Sequence, residues 1–324
     1  MRLATDLTRD KGLVETICPD NGARMGEQPD LHGRIACGTA VVPDLAASLA
    51  DYIGPLGLHI VEDGPVSGAL AAAWGTPASA GRRMVLLAPD SGTPGYLRLV
   101  EGTSVAAFRP ARTWGWAAFE HSVADAFALH DAIGDGFEVL GPPRKVPGFD
   151  SFIPFQVAGR GGEILYLNQV LTPASDGLDL PPARARVDPM FIAVLAAPDR
   201  AASLAFHVDA LGFETGATYA IPYGVIDRAF AHPPGTLTDM TMTRTGRRPA
   251  TEIDQYPAAA SVRPCAFGEL PPGNAIVSFI VADLAKVRAP FVAPPAVQPG
   301  ALYAGCRSAC VVGAAGELIE LIEA

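Results

Sequence analysis

One helix-forming stretch occurs twice in this chain, and its repetition limits the available folds more than any other feature. The better-defined copy runs from Asp199 to Glu214 and reads DRAASLAFHVDALGFE. Asp199 is a suitable N-cap because its carboxylate can accept hydrogen bonds from the free backbone amides of the first turn. Gly212 stands where a helix commonly ends in the left-handed conformation. The apolar residues in between recur at helical spacing and predict one buried face: Ala201, Leu204, Ala205, Val208 and Leu211.

The second copy ends at Gly57. Asp44 precedes Gly57 by as many residues as Asp199 precedes Gly212. The apolar residues before Gly57 also keep the offsets of the first copy: Ala46, Leu49, Ala50, Ile53 and Leu56. Agreement at that many positions indicates an internal duplication.

Two weaker copies begin at Asp125 and Asp283, so four aspartates mark four modules of similar size. Each module opens with a strand, the aspartate and a helix, and then supplies further strands, of which Tyr223–Phe230 is predicted to be one. The second and fourth modules end alike, with GEILYL at 162–167 and GELIEL at 316–321. Because a strand–helix–three-strand unit exposes one apolar sheet face, such units need partners.

The expected fold class is therefore α+β, with four βαβββ modules pairing into two half-open, cupped β-sheet domains that carry their helices on the outside. Residues 1–32 lack periodicity and are expected to form an N-terminal extension. Residues 33–175 are expected to hold the first two modules as one domain, and residues 186–324 the last two as another. The polar, proline-rich segment 172–186 is the expected linker.

The composition is that of a protein with a substantial core, since 49% of the 324 residues are hydrophobic and 18% are charged. A formal charge of −10, with no Lys/Arg run longer than two, argues against a nucleic-acid partner. No apolar run approaches the ~20 residues that a membrane helix needs, and no signal peptide is recognisable. The five cysteines lack a disulfide spacing and indicate reduced thiols in the cytoplasm. The expected partner is a small molecule, with a homodimer left open.

The repeated motifs resemble those of the vicinal oxygen chelate superfamily, which includes glyoxalase I, bleomycin-resistance proteins and extradiol dioxygenases. The segment LAFHVDALGFE at 204–214 looks like a helix of that family, and GELIEL at 316–321 is similar to its last strand. The resemblance covers Gly33–Ala324. It implies two domains of two modules each, built around concave sites, and it leaves the activity open because this fold hosts many chemistries.

The resemblance also implies a metal held by histidine and glutamate side chains on the first and last strands of the modules. Glu320 matches the last-strand glutamate, whereas Tyr166 replaces it in the second module. The first-strand positions lack histidine and fall near Cys37, Ala118, Ile192 and Ile276. His121 does lie on a first strand, but alternation places it on the face opposite Glu120. We therefore expect no cofactor and no conventional metal, with an all-carboxylate site left open.

The remaining candidates are polar residues that strand alternation can point into the cups. The candidate catalytic residues are Glu320, Glu252, Asp254 and Glu120. The candidate ligand-binding residues are Cys37, Thr39, Glu101, Tyr166 and Asn168. Two carboxyls that converge in a dry pocket have separated pKa values, which suits general acid–base chemistry. The competing interpretation is structural, for example an ion pair between Glu120 and Arg98.

Two function classes follow. The first is an enzyme of this superfamily, leaning towards lyase, isomerase or dioxygenase-like chemistry on a small aromatic or carbonyl compound, which uses carboxylates without a histidine-held metal. The second is a non-catalytic binding or sequestering protein of the bleomycin-resistance type. The missing histidines favour the binding protein, and the candidate acids favour the enzyme. A third option is that one domain has lost its site and serves only as a scaffold; if a metal is bound, the first domain, with Tyr166 in place of the glutamate, is the expected scaffold.

Overall fold

The computed structural model describes residues 31–145, 150–175 and 177–324. Nearly all of the predicted N-terminal extension, residues 1–30, lies outside the described residues. Within the part that is described, no helix is both long and apolar enough to cross a membrane.

The first half of the chain contains two modules, each opening with a buried strand. The first module consists of β1 (Ile35–Val42), α1 (Leu45–Ile53), β2 (Leu58–Pro65), α2 (Gly68–Ala73), β3 (Arg83–Pro89) and β4 (Tyr96–Glu101). The second consists of β5 (Gly115–Val123), α3 (Ala126–Ala132), β6 (Glu138–Gly141), β7 (Phe152–Ile153), β8 (Gln156–Ala158) and β9 (Ile164–Val170). A short hairpin follows, formed by β10 (Ala174–Ser175) and β11 (Leu178–Asp179).

The second half repeats the plan. The third module consists of β12 (Val187–Ala197), α4 (Arg200–Asp209), β13 (Glu214–Pro222), α5 (Gly224–Phe230), β14 (Leu237–Thr245) and β15 (Arg248–Gln255). The fourth consists of β16 (Gly273–Val281), a 3₁₀ turn at Leu284–Lys286, β17 (Ala296–Val297), β18 (Arg307–Val312) and β19 (Leu318–Glu323). Two further 3₁₀ turns lie at Pro77–Ser79 and Gly134–Gly136.

The four aspartates that mark the modules are all N-caps, as predicted for Asp199. The Asp44 carboxylate accepts a hydrogen bond from the Ala47 amide at 2.9 Å, and Asp199 accepts one from the Ala202 amide at 3.0 Å. The same type of bond is made by Asp125 and Asp283. These bonds satisfy amides that the helix itself leaves free, and they explain why the aspartate recurs.

The buried face of α4 differs from the predicted one. Ser203 and His207 are fully buried, whereas Ala201 and Ala205 are exposed. His207 is accommodated because its Nδ1 lies 2.9 Å from the Ser203 carbonyl oxygen and its ring packs edge-on against Trp116. Leu211 does lie in the main core and Leu204 packs against it, so the predicted face was right in part. Counting apolar residues missed Ser203 and His207 because a polar residue can also be buried on a helix face.

The modules form two large sheets. The eight-stranded sheet has the order β17-β18-β19-β16-β1-β4-β3-β2 and combines the first and fourth modules. The nine-stranded sheet has the order β13-β14-β15-β12-β5-β9-β8-β6, with β7 on β9, and combines the second and third. In the middle of each sheet, the first strands of two modules pair antiparallel, β1 with β16 and β5 with β12.

This topology corrects the expected pairing of consecutive modules within residues 33–175 and 186–324. The first and second modules lie in different sheets, and so do the third and fourth. Every module opens with a similar buried strand. The strand patterns therefore do not specify which two first strands pair. As a result, each sheet draws its residues from both halves of the chain.

Strand alternation divides the buried side chains between a main core and two cups. Along β12, Ala193 and Leu195 join the main core, whereas Ile192 and Val194 face the other way. We call that second face, with Tyr166, Ile192, Val194 and Tyr223, the second cup. The first cup is the corresponding face of the eight-stranded sheet, with Cys37, Trp74, Ile276 and Tyr303.

Three local expectations are corrected. Residues 224–230 form helix α5, although Tyr223–Phe230 was predicted to be a strand. Strands β2 and β13 follow α1 and α4 but were not predicted, because exposed residues interrupt their apolar alternation. Cys306 is disulfide-bonded, which contradicts the expectation that all thiols are reduced, while Cys310 is a buried free thiol.

The matching ends of the second and fourth modules place two acids in equivalent buried positions. Glu163 accepts hydrogen bonds from the Gly161 amide and the Tyr52 hydroxyl, both at 2.9 Å. Glu317 accepts one from the Ala315 amide at 2.9 Å. Burial raises the pKa of each carboxyl to about 7.

These acids predict that stability falls as the pH rises above 6.5. Their folded-state pKa of about 7 exceeds the ordinary value of 4.5, so their stabilising contribution is complete below pH 4.5 and is lost as the pH rises through about 7. Burial lowers the pKa of His121 and His207 from 6.5 to about 4, so their contribution is complete above pH 6.5 and is lost as the pH falls through about 4. The two effects oppose each other below pH 6.5. Above it, only the loss from buried carboxyls remains, to which Glu252 on β15, with a pKa also raised to about 7, adds.

Urea denaturation at a series of pH values measures this effect. The free energy of unfolding should fall between pH 6.5 and about 8, by on the order of 1 kcal/mol for each carboxyl. A control protein with Glu163→Gln and Glu317→Gln should show a flatter profile over the same range. A free energy that rises across this range would contradict the prediction.

Candidate functional site

The second cup contains a cavity of about 370 Å³. Its wall is formed by residues of β5, β8, β9 and β15, by the end of β13 and the adjoining α5, and by residues 141–144 and 152–154. The volume lies within the usual range for small-molecule sites. Both the second and the third module contribute to it, so the cavity depends on the pairing of these two modules.

Two carboxyls border this cavity from strands on either side of β12. Glu120 on β5 pairs with Ile192, and Glu252 on β15 pairs with Val194. Since Ile192 and Val194 are two residues apart on one strand, they point to the same face. The two glutamates therefore project into the same cup, although they were expected in different domains.

Asp254 adds a third carboxyl behind Glu252. It is 1% exposed, and burial, followed by the charge of Glu252, raises its pKa well above the ordinary value. Without a proton, both Asp254 carboxylate oxygens would be buried with no hydrogen-bond partner. A proton retained on Asp254 supplies the hydrogen for a bond to Glu252.

Glu120 is held by a neighbour on β9. Burial, and then the negative charge of Glu252, raise the pKa of Glu120 well above its ordinary value. The Asn168 amide nitrogen donates a hydrogen bond to Glu120 Oε1, and this bond lowers the pKa of Glu120. The amide oxygen of Asn168 is buried with no hydrogen-bond partner within the described part of the chain.

Glu252 is held by a pair of tyrosines. The Tyr223 hydroxyl donates a hydrogen bond to Glu252 Oε1 at 3.0 Å and lies 2.9 Å from the Tyr166 hydroxyl. Because Tyr223 has one hydroxyl hydrogen, Tyr166 is the donor in the second bond. Burial raises the pKa of Glu252 to about 7, and the bonds from Tyr223 and Asp254 limit the rise. Glu252 is thus the carboxyl of this group that ionises near neutral pH.

The first cup is filled by a closed network around Glu320, which is 1% exposed. Its Oε1 accepts hydrogen bonds from Trp74 Nε1 at 2.9 Å and from the Tyr303 hydroxyl at 2.7 Å. Its Oε2 accepts from Arg98 Nη2 at 3.0 Å and from the Ser278 hydroxyl at 2.6 Å. These four bonds occupy the lone-pair positions of the carboxylate. This arrangement does not fit the catalytic role expected of Glu320.

Arg98 is the cation of the first cup. Its Nε donates to the Thr39 hydroxyl at 2.9 Å, its Nη1 donates to the Tyr303 hydroxyl at 2.9 Å, and its guanidinium lies 4.5 Å from the centre of the Trp74 ring. Burial alone would raise the pKa of Glu320, but the Arg98 charge and the neutral donors outweigh it and hold the pKa below the ordinary value. The candidate partner of Arg98 was Glu120, and the structure pairs Arg98 with Glu320 instead.

The residues of the two cups do not fit the histidine-and-glutamate metal centre that the resemblance implied. In the first cup the guanidinium of Arg98 lies against the last-strand glutamate, at the place where a cation would bind it. Across the described ranges, no group of three or more His, Cys, Asp or Glu side chains is placed to hold a metal ion. His121 lies on the other face of β5 and contacts the Asp188 carbonyl oxygen at 2.9 Å.

The structure separates the nine candidate residues into three groups. The second cup brings together Glu120, Glu252, Asp254, Tyr166 and Asn168. The first cup contains Glu320, Thr39 and Cys37 within or beside the closed network. Glu101 is exposed at the end of β4 and belongs to neither group.

Several site residues were not among the candidates. They are Arg98, Trp74, Ser278 and Tyr303 in the first cup and Tyr223 in the second. The one local signal was an arginine inside the otherwise apolar strand YLRLVE, because a charged side chain in such a strand needs a partner. Tyr223 gave no signal, since it was assigned to a strand and in fact precedes a helix.

No family model and no curated protein sequence matches the chain. Solved structures do match it. Glyoxalase I from Zea mays has a TM-score of 0.59 and 16% identity, with 90% of this chain and 92% of that chain covered. A putative dioxygenase from Bacillus subtilis has a TM-score of 0.58 and 12% identity, with coverages of 90% and 85%. At these identities the likeness shows the fold alone: the chain has the vicinal oxygen chelate fold, as its repeated motifs predicted.

Proposed function

We propose that the chain is an enzyme that moves protons on a small carbonyl compound, with Glu252 as general base and Glu120 as general acid. The observation that carries this proposal is that both carboxyls border one cavity while burial raises the pKa of each. Two acids that interact at close range do not lose their protons together. Near neutral pH one can therefore accept a proton while the other still holds one.

The proposed step is balanced within the site. The ionised Glu252 takes a proton from the carbon next to the carbonyl group, and the electron pair of that C–H bond moves towards the carbonyl. Glu120 delivers its proton to the carbonyl oxygen, so that an enol forms. The enol then gives its hydroxyl proton back to Glu120 as the carbonyl re-forms. Return of the proton held by Glu252 to the same carbon exchanges or inverts that centre, which is an isomerase reaction. Departure of a leaving group from the adjacent carbon, protonated by Glu252, is a lyase reaction.

The neighbouring residues support these two roles without touching the reacting atoms. Asn168 holds Oε1 of Glu120, which leaves Oε2 to carry the proton. Tyr223 and Asp254 are positioning residues, because each donates a hydrogen bond to Glu252 and stabilises its ionised form.

Deuterium exchange tests the proposal without knowledge of the natural substrate. The protein is incubated in D₂O with small 2-oxo acids, 1,3-dicarbonyl compounds and aryl ketones, and loss of the α-proton signal is followed by proton NMR. We expect catalysed exchange in at least one compound class, and no catalysis by a Glu120→Gln, Glu252→Gln double variant.

The same experiment separates the enzyme from a binding protein. Compounds that bind in the cup, as judged by shifts of their own NMR signals, but exchange no faster with the wild-type protein than with the double variant would contradict the enzyme proposal. That outcome favours a binding or sequestering function for the same cavity.

A further inference from the structure

The cavity of the second cup continues outwards into a second, larger one. The outer cavity has a volume of about 710 Å³. The two cavities share four lining residues, Arg144, Pro222, Gly224 and Arg228, so these residues stand at the boundary between them. Together the two cavities are larger than a substrate of three or four carbon atoms needs.

Two arginines stand at this boundary, one from each module. Arg144 follows β6 of the second module, and Arg228 lies on α5 of the third. Arg228 Nη1 lies 3.7 Å from the position that a Cβ atom on Gly224 would occupy. The guanidinium therefore lies close to Gly224, another boundary residue. Both arginines are exposed, and neither guanidinium has an ion pair or hydrogen bond among the described residues.

Some other exposed arginines of the chain do have partners. Arg83, Arg160 and Arg307 are also at least partly exposed, and each pairs with a carboxylate. With 34 acidic residues against 24 Lys and Arg, carboxylate partners are abundant in this chain. Two unpaired guanidinium groups beside one opening can together bind an anionic group, and arginine is well suited to carboxylates.

We propose that the substrate carries a carboxylate several bonds away from its reacting carbonyl group, and that Arg144 and Arg228 bind this carboxylate at the boundary of the two cavities. This inference rests on the proposed function, since it places the carbonyl end beside Glu120 and Glu252 in the inner cavity. The arginines offset the repulsion that a negative substrate meets from the inner acids. Asp227 borders the outer cavity and not the inner one, so its carboxylate repels an anion in the outer cavity.

Binding measurements with matched acids and esters test the inference. The probes are 4-oxopentanoate, 5-oxohexanoate and 6-oxoheptanoate, each compared with its uncharged methyl ester, and dissociation constants are read from the probes' NMR signals. The wild-type protein should bind at least one acid roughly tenfold more tightly than its ester. This preference should shrink as the salt concentration rises.

The variants Arg144→Gln and Arg228→Gln should each reduce the preference, and the double variant should abolish it while ester binding stays unchanged. Arg288→Gln is the matched control, because Arg288 is exposed and borders a different cavity. Equal affinity for acids and esters, including the case in which no probe binds, would overturn the inference, as would a double variant that keeps the preference.

The binding readout is independent of turnover. If the charge preference and its loss in the double variant are observed without any deuterium exchange, the carboxylate site stands and the acid–base proposal fails. If exchange occurs without a charge preference, the enzyme proposal stands and the role of the two arginines fails.

Discussion

Replacing Arg98 by methionine is expected to lower the free energy of unfolding by about 3–5 kcal/mol, the range for breaking a buried ion pair by removal of one partner. Arg98 and Glu320 are each 1% exposed, and their atoms Nη2 and Oε2 are 3.0 Å apart. Without the guanidinium, Glu320 must either remain as an uncompensated buried charge or take up a proton. Urea denaturation at neutral pH measures the loss.

Matched variants identify the cause of that loss. Arg83 forms an ion pair with Asp63 on the surface, so Arg83→Met removes the same kind of pair in water and should have a much smaller effect. Removing both charges of the first cup with Arg98→Met and Glu320→Leu should recover part of the stability, because no buried charge then lacks a partner. If Arg98→Met costs no more than Arg83→Met, the first cup is not held by its ion pair.

Glu252→Gln is expected to reduce the catalysed exchange rate by about 10²- to 10⁴-fold, the usual contribution of a general base. The substitution keeps the size of the side chain and an oxygen that can accept the bond from Tyr223, and it removes the ability to take a proton. The wild-type rate should rise as the pH increases through about 7, where Glu252 ionises, and should fall at higher pH when Glu120 loses its proton. The pH–rate profile is measured with the compound that exchanges fastest.

Glu101→Gln is the control for this prediction. Glu101 is exposed at the end of β4, away from the second cup, so its substitution should leave both the rate and the pH profile unchanged. A Glu252→Gln protein with wild-type exchange, or a wild-type profile that is flat around pH 7, would remove Glu252 from the base role.

The modules could be predicted because the signals that define them are local. An aspartate bonds to an amide two or three residues away, and a helix ends at a glycine that tolerates positive φ, as at Gly57 and Gly212 with φ of 71° and 77°. The pairing of modules could not be predicted in this way. Any two of the four similar first strands could pair, and which of them do pair depends on how the whole sheets pack together.

The candidate site was predicted only in part, because strand alternation is also a local signal. Alternation along one strand placed Glu120 opposite His121, and the structure bears this out because Glu120 borders the cavity while His121 contacts the other face. Alternation along one strand does not indicate which other strands lie beside it in the sheet. Glu120 therefore meets Glu252 from the other half of the chain, and Glu320 meets Arg98 rather than a ligand.

The sequence by itself determined the repeated unit, its capping aspartates, its resemblance to a fold family and the polar residues that face the cups. Only the tertiary structure decided that one cup is closed by an ion pair and that the other holds an open cavity beside three neighbouring acids. The reason is the range of the contacts. Caps and alternation act over a few residues, whereas the bond between Trp74 and Glu320 joins residues 246 positions apart. Such contacts exist only after the sheets have assembled.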